Sequence, residues 1–278
     1  MLPNLIVIGG MKAGTTSLHY YLNLHPEIKM SNPKELIFFN EHVNWNKGLT
    51  WYESHFTGNA KIFGESSPSY TNYPRARGVP KRMHSIIPEA KLIYILRDPV
   101  QRLVSHYLHL WVRGKEKNTF AEAIWYHKRR DRYLDRSKQY MQLEQYLEYF
   151  PKSKILLISQ EALKENRCET LRKVFRFLEV DENFNTNRFD KTLHNSAEKR
   201  QYNRIGKLVL GDTFRKKIAK LPERPRWIIE TKVVRPFTRS IERPVIEEDL
   251  KRRLIDYFQE DVERLRAFTG EKFERWCL

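Results

Sequence analysis

The chain carries 278 residues, with 51 Lys and Arg against 34 Asp and Glu, and its formal charge of +17 favours a polyanionic or multiply charged ligand. That length suits one large domain, and the two cysteines, Cys168 and Cys277, lack metal-ligand spacing, so neither a disulfide scaffold nor a metal centre is expected. No apolar run reaches the ~18 residues of a membrane-spanning helix, and the first strand pattern starts almost at Met1, so no signal peptide is expected; cytoplasmic placement follows unless the chain is an excised domain.

Leu5-Ile6-Val7-Ile8 is a short apolar run that opens into Gly9-Gly10-Met11-Lys12-Ala13-Gly14-Thr15-Thr16-Ser17, and Leu18 to Leu24 follows with helical spacing. The pattern reads as strand, anion-binding loop and helix. The first N–H groups of a helix have no intrahelical partner and the helix dipole is positive there, so an anion is stabilised at that end. Glycines let the backbone curl close around it, and Lys12 adds a full charge. A nucleoside-triphosphate loop places its lysine directly after the last glycine, with a hydroxyl beside it for Mg²⁺. Here Thr15 follows Gly14 and Lys12 precedes it, which suits a smaller anion held without a metal. A tight turn with an incidental lysine is the competing reading.

Glu27 to Met30 reads as a short strand. In Lys34-Glu35-Leu36-Ile37-Phe38-Phe39-Asn40, Glu35 is a candidate carboxylate in a partly desolvated setting, where its pKa would rise toward that of a general base. A surface glutamate beside core phenylalanines fits the same pattern. Leu49 to Phe56 shows aromatics at helical spacing and reads as packing. Lys61 to Glu65 is a strand running into the hydroxyl-rich Ser66-Ser67-Pro68-Ser69-Tyr70; because parallel strands present ligand groups at their carboxyl ends, Glu65 is a second candidate carboxylate.

Lys91 to Leu96 is the clearest buried strand, bounded by Arg97-Asp98-Pro99. Pro99 fits the first turn of a helix carrying Leu103, Val104, Tyr107, Leu108 and Trp111. Arg97 at the strand end suits an anion directly, where a Walker-type strand ends in an acid for Mg²⁺. Ser105 and His109 share a face of that helix. Thr119 to His127, Gln139 to Phe150 and Leu171 to Leu178 read as helices, Lys154 to Ser159 as a further buried strand, and Lys128 to Arg132 as a solvated basic face.

Strands alternating with helices imply an α/β fold, a central parallel sheet with helices on both faces. Residues 181–243 break into polar, proline-spaced segments, an irregular stretch of the kind that often carries function. Within it Ser196, Lys199 and Arg200 combine a hydroxyl with cations as an anion site does, and a solvated loop fits equally. Glu247 to Phe268 closes the chain as an amphipathic packing helix. No linker divides 1–278, which reads as a single domain.

Two stretches together resemble the sulfotransferases. Ile8 to Leu18 resembles their 5′-phosphosulfate loop, and Ile95-Leu96-Arg97-Asp98-Pro99-Val100-Gln101-Arg102-Leu103-Val104-Ser105-His106-Tyr107 resembles their 3′-phosphate motif, an Arg with a Ser eight residues later. The match is similar to the heparan sulfate N- and 3-O-sulfotransferase type and its bacterial relatives; it takes in Glu35 to Asn40, Gly48 to Tyr52, Gly64 to Tyr70 and the closing segment to Trp276, and thins after Asp181. The resemblance implies a P-loop-like three-layer fold. It also implies 3′-phosphoadenosine 5′-phosphosulfate (PAPS) as donor, adenosine 3′,5′-bisphosphate as product, no metal, and in-line transfer of a sulfuryl group to a hydroxyl or amine of a glycan or small molecule.

By the same resemblance Lys12, with Ala13, Gly14, Thr15, Thr16 and Ser17, meets the phosphosulfate, and Arg97 and Ser105 meet the 3′-phosphate. Glu35 falls at the acceptor base, and His109 matches a histidine near the acceptor. The sequence departs from the family in two places. Ser66 stands where a lysine follows the second glutamate, Glu65, and the paired-cysteine segment and Ser-Lys-Gly-Arg loop of the heparan enzymes are missing, with Ser196, Lys199 and Arg200 as the candidate substitutes. Heparan is therefore not implied as acceptor. The rival readings are a P-loop kinase of a small molecule, which the lysine position opposes, and a basic nucleic-acid-binding protein, for which zinc spacing, an RNP signature and a basic-region heptad are all missing.

Overall fold

The computed structural model describes residues 1–128, 130–191 and 243–278, the backbone of Arg200–Tyr202 and Thr238–Ser240, and the single positions Ile229 and Val233. Leu5–Gly9 (β1) forms the middle of the molecule because every one of its side chains is removed from water. Around it lie Ile28–Met30 (β2), Ile62–Ser66 (β3), Lys91–Leu96 (β4) and Ile155–Ser159 (β5), all parallel, in the order β2-β3-β1-β4-β5. All five strand positions read from the sequence are present.

The alternation of a pleated strand sorts their side chains into two cores. Ile6, Ile8, Leu92, Tyr94 and Leu96 face one side, and Leu5, Val7, Ile93 and Ile95 the other. Helices cover both. Thr15–Leu22 (α1) packs Leu18 and Leu22 on the second face. Gly48–Glu53 (α2) and Val79–Ile86 (α3) lie on the first, through Tyr52, Val79 and Met83. Pro99–Val112 (α4) packs Leu103, Val104 and Leu108 into a third cluster with Tyr133 and Leu134 of the short Asp131–Leu134 (α5). Gln139–Leu147 (α6) returns to the first face, and Gln160–Glu165 (α7) and Arg167–Leu178 (α8) cover the second. Glu248–Thr269 (α9) spans the first face and the third cluster.

The chain crosses from one side of β1 to the other between β3 and β4. Such a switch leaves a crevice at the carboxyl ends of the two central strands, and parallel sheets bind ligands there.

Four details differ from the sequence reading. α3 and α7 were not expected: α3 buries Val79 and Met83, with Ile87 just past its end continuing the same spacing, and α7 forms because Ser159 ends β5 as an N-cap, its Oγ accepting from Ala162 N at 3.1 Å. The Thr119–His127 segment winds as a π-helical turn over Glu122–Tyr126. Arg132 turns inward from the basic run to pair with the buried Glu116 and Tyr133, because that carboxylate has no other cation in hydrogen-bond reach among the described residues. The closing helix does more than pack: Asp261 accepts the N–H groups of Tyr140 and Met141 at 3.0 and 2.9 Å, satisfying free donors at the start of α6. Cys168 is exposed and Cys277 half-buried, and both are free thiols. Among the described residues no helix is long and apolar enough to cross a membrane.

Candidate donor site at the switch point

The loop leaving β1 is shaped by its backbone. Gly9 and Gly10 lie against the next layer so closely that a Cβ on Gly9 would come 2.2 Å from Thr71 Oγ1, and one on Gly10 2.9 Å from the carbonyl of Ile95. Gly10 N–H donates to that same carbonyl at 2.8 Å, stitching the loop to β4. Gly14, at φ +103°, turns the chain into α1, a conformation residues with a Cβ avoid. Lys12 also lies in the left-handed region, at φ +70°, a strained setting of the kind that concentrates at ligand sites. Its Nζ stands 3.5 Å from His109 Nδ1, so the lysine and histidine separated by 97 residues meet at one edge of the loop.

The second element leaves β4. Asp98 caps α4 by accepting from Gln101 N at 2.8 Å and ties down the C-terminus by accepting from Cys277 N at 2.7 Å, while Pro99 occupies the first turn. Arg97 is only 8 % exposed, and burial lowers its guanidinium from the usual range to about 10. Its Nη1 donates to Lys12 O at 2.6 Å, a carbonyl rather than a carboxylate, which leaves the rest of its fork for an anion. Gln139 fixes the peptide of Arg97 from both sides: Arg97 N–H donates to Gln139 Oε1 at 2.9 Å and Gln139 Nε2 donates to Arg97 O at 2.6 Å. Arg102, fully buried, donates to Ser137 Oγ and Tyr133 O, both at 2.7 Å, and burial lowers it to about 9. Ser105 is buried on the same helix, and His109 lies four residues beyond it.

The two carboxylates singled out from the sequence have different fates. Glu65 is fully enclosed and receives hydrogen bonds from Tyr52 (2.8 Å), Tyr70 (2.7 Å), Ser67 Oγ (2.9 Å) and Leu36 N–H (3.3 Å). Burial raises its pKa against the pull of those four donors. A saturated, water-free carboxylate braces the segment that follows Glu35; it has no room to meet an acceptor. Tyr70, spent on Glu65, likewise faces inward.

Glu35 is not desolvated as expected. Its side chain is 46 % exposed, because the neighbouring Leu36 takes the inward position, and it confronts Lys34 Nζ at 2.9 Å. Lys34 also reaches Thr15 Oγ1 at 3.4 Å, so Glu35 is joined to the loop through one ammonium.

Sequence reasoning missed Lys34 and Gln139. The Lys34-Glu35 doublet was a visible signal for the first; a mid-chain glutamine carries none. Ala13, Thr15, Thr16 and Ser17 fall on the loop and the opening turn of α1 as expected. Ser196 and Lys199 lie outside the described residues, and of Arg200 only the backbone is described, in a two-stranded antiparallel pair with Thr238–Ser240.

A parallel α/β sheet whose switch-point crevice is lined by Lys12, Lys34 and Arg97 defines a broad class of anion-binding proteins. The family model described as sulfotransferase domain matches residues 2–220, and the chain belongs to that family. The membrane-associated sulfotransferase kil1 of Dictyostelium discoideum is 42% identical over 122 residues, covering 42% of this chain and 25% of that protein. The human bifunctional heparan sulfate N-deacetylase/N-sulfotransferase 2 is 28% identical over 212 residues, 68% of this chain and 24% of that protein. The chain thus spans about a quarter of the length of these relatives. A sulfotransferase structure from Alicyclobacillus acidocaldarius shares the fold over 99% of both chains, with a TM-score of 0.71 and 23% identity.

Proposed function

We propose that this chain transfers a sulfuryl group from PAPS to a hydroxyl or amine of a glycan or small-molecule acceptor. Family membership supports the reaction class, and the observation that carries the residue assignment is the bond from Arg97 Nη1 to Lys12 O, which sets two cation-bearing elements side by side. A donor charged at both ends of its nucleotide matches that spacing of function: loop and Lys12 toward the 5′-phosphosulfate, Arg97 and Ser105 toward the 3′-phosphate. The glycines at positions 9 and 10 let the loop pack directly on Thr71, Tyr94 and the Ile95 carbonyl, which fixes its path from β1 into α1.

The donor supplies the sulfuryl group: its S–O bond to the 5′-phosphate breaks as the acceptor's new bond to sulfur forms, and the electron pair stays on the phosphate oxygen. Lys12 and the N–H groups opening α1 offset that growing charge. Glu35, half exposed and joined to the loop through Lys34, takes the acceptor's proton, with His109 beside Lys12 as the second candidate group. Arg97, its peptide clamped by Gln139, sets the register of the nucleotide. We place the whole of 1–278 in one domain; the two free cysteines, far apart in sequence, fit a reducing compartment.

The test is a calorimetric titration with adenosine 3′,5′-bisphosphate, followed by an acceptor screen with radiolabelled PAPS. Binding of the bisphosphate without Mg²⁺ and label transfer that Glu35→Gln reduces on the order of 10²-fold or more are the expected results. Binding of ATP–Mg²⁺ in its place would turn the reading to a kinase.

A further inference from the structure

We propose that Lys34 is a second cation for the 5′ end of the donor, reaching the loop from the β2–β3 connection. This rests on the sulfotransferase reading above. The family resemblance puts a lysine at position 66, and this chain has Ser66 there, enclosed and bonded through its Oγ to His19 Nδ1 at 3.0 Å. The structure brings another ammonium to the same place. The peptide of Lys34 lies against Ser66, whose N–H donates to Lys34 O at 3.3 Å, and the side chain runs on to Thr15 Oγ1 at the start of α1.

The other titratable groups at this spot leave Lys34 as its charge. Burial first, and then Lys34 itself, lower His19 to about 4, so the imidazole is neutral near pH 7. Glu35, the carboxylate bonded to Lys34, is half exposed, while the ammonium is 18 % exposed and sits deeper, toward the loop. An ammonium held by a carboxylate beside a helix N-terminus can serve two anions, that carboxylate and a phosphate bound at the helix end. With a donor bound, its charge lies against the phosphate oxygen that keeps the electron pair, and Glu35 is left to accept the acceptor's proton. One residue thereby links leaving-group charge to the base.

The test uses binding, which needs no acceptor. Wild type, Lys34→Gln, and Lys34→Gln combined with Ser66→Lys are titrated with adenosine 3′,5′-bisphosphate and with adenosine 3′-phosphate, and their thermal melts are compared. Lys34→Gln keeps a polar side chain with an N–H donor, one atom shorter, and removes the charge. It should weaken the bisphosphate about tenfold to a hundredfold, the size of one charge-assisted hydrogen bond, and leave the 3′-phosphate within about twofold. Ser66→Lys in that background should recover most of the loss, because it returns an ammonium to the same spot. Unchanged affinity for the bisphosphate, or equal weakening of both ligands, overturns the proposal. Failure of the wild type to bind the bisphosphate overturns the sulfotransferase reading itself and is a separate result.

Discussion

The loop Gly10–Ser17 and the arm Arg97–Ser105 leave neighbouring strands at the same end of the sheet, yet they hold their shapes by different means. The loop is a backbone structure: glycines packed against Thr71 and Ile95, and positive φ at Lys12 and Gly14. The arm is held by polar groups from afar, with the Gln139 side chain on the peptide of Arg97, Ser137 Oγ and the Tyr133 carbonyl on Arg102, and the Cys277 N–H of the C-terminus on Asp98. Backbone shape tolerates almost no added atom, whereas a polar clamp fails partner by partner. Substitutions in the two regions should therefore separate by what they damage.

Arg97→Ala should have the largest effect, because it removes both the anion-binding fork and the tie to Lys12 O. We expect about a 100-fold loss of affinity for adenosine 3′,5′-bisphosphate and a much smaller loss for adenosine 5′-phosphate. Equal losses in a titration would erase the distinction between loop and arm. Gly9→Ala comes next: a Cβ 2.2 Å from Thr71 Oγ1 and 3.0 Å from the Tyr94 ring must push one of them aside, at about 1–3 kcal/mol, visible as a lower melting temperature. Its binding defect should fall on the 5′ end.

Gln139→Leu leaves a buried N–H and C=O of Arg97 without partners. It should cost about 1–2 kcal/mol in a denaturant melt and roughly tenfold in preference for the 3′-phosphorylated nucleotide, with 5′-phosphate binding intact. A loss of stability with no change in that preference would show Gln139 to be scaffolding alone.

The smallest effect is on pH dependence. His19, behind the loop, has its folded pKa lowered to about 4, and His106, on the arm, is also lowered by burial and then by Arg102. The unfolded chain binds these protons near 6.5 and the folded one does not, so stability is complete above about 6.5 and falls as the pH drops toward 4. His19→Gln should make the decline in melting temperature between pH 7 and pH 5 shallower. Comparing it with His106→Gln shows which of the two regions yields first to acid.

Much of this was legible in the chain itself. The five strands were readable because parallel strands buried on both faces are continuous apolar runs, and Pro99 marked the first turn of α4 because its ring fits only there. Glu35 and Glu65 could not be told apart, since each precedes the kind of neighbours that either bury or expose a carboxylate. Two donors from other segments, Tyr52 and the amide of Leu36, had to converge with the nearby Ser67 and Tyr70 before Glu65 became the enclosed one.

The sequence by itself determined the glycine loop and the Arg–Ser arm as structural elements, because each is local, its residues are neighbours along the chain, and its conformation follows from glycine, proline and helix periodicity. Only the tertiary structure decided which side chains serve them. Lys34 reaches Thr15 across 19 residues because β3, whose Ser66 holds the Lys34 peptide, is laid beside β1, and Gln139 holds Arg97 across 42 because α6 folds back onto the end of β4. Hydrogen bonds at that range depend on where strands are laid side by side, a global property that no local spacing encodes.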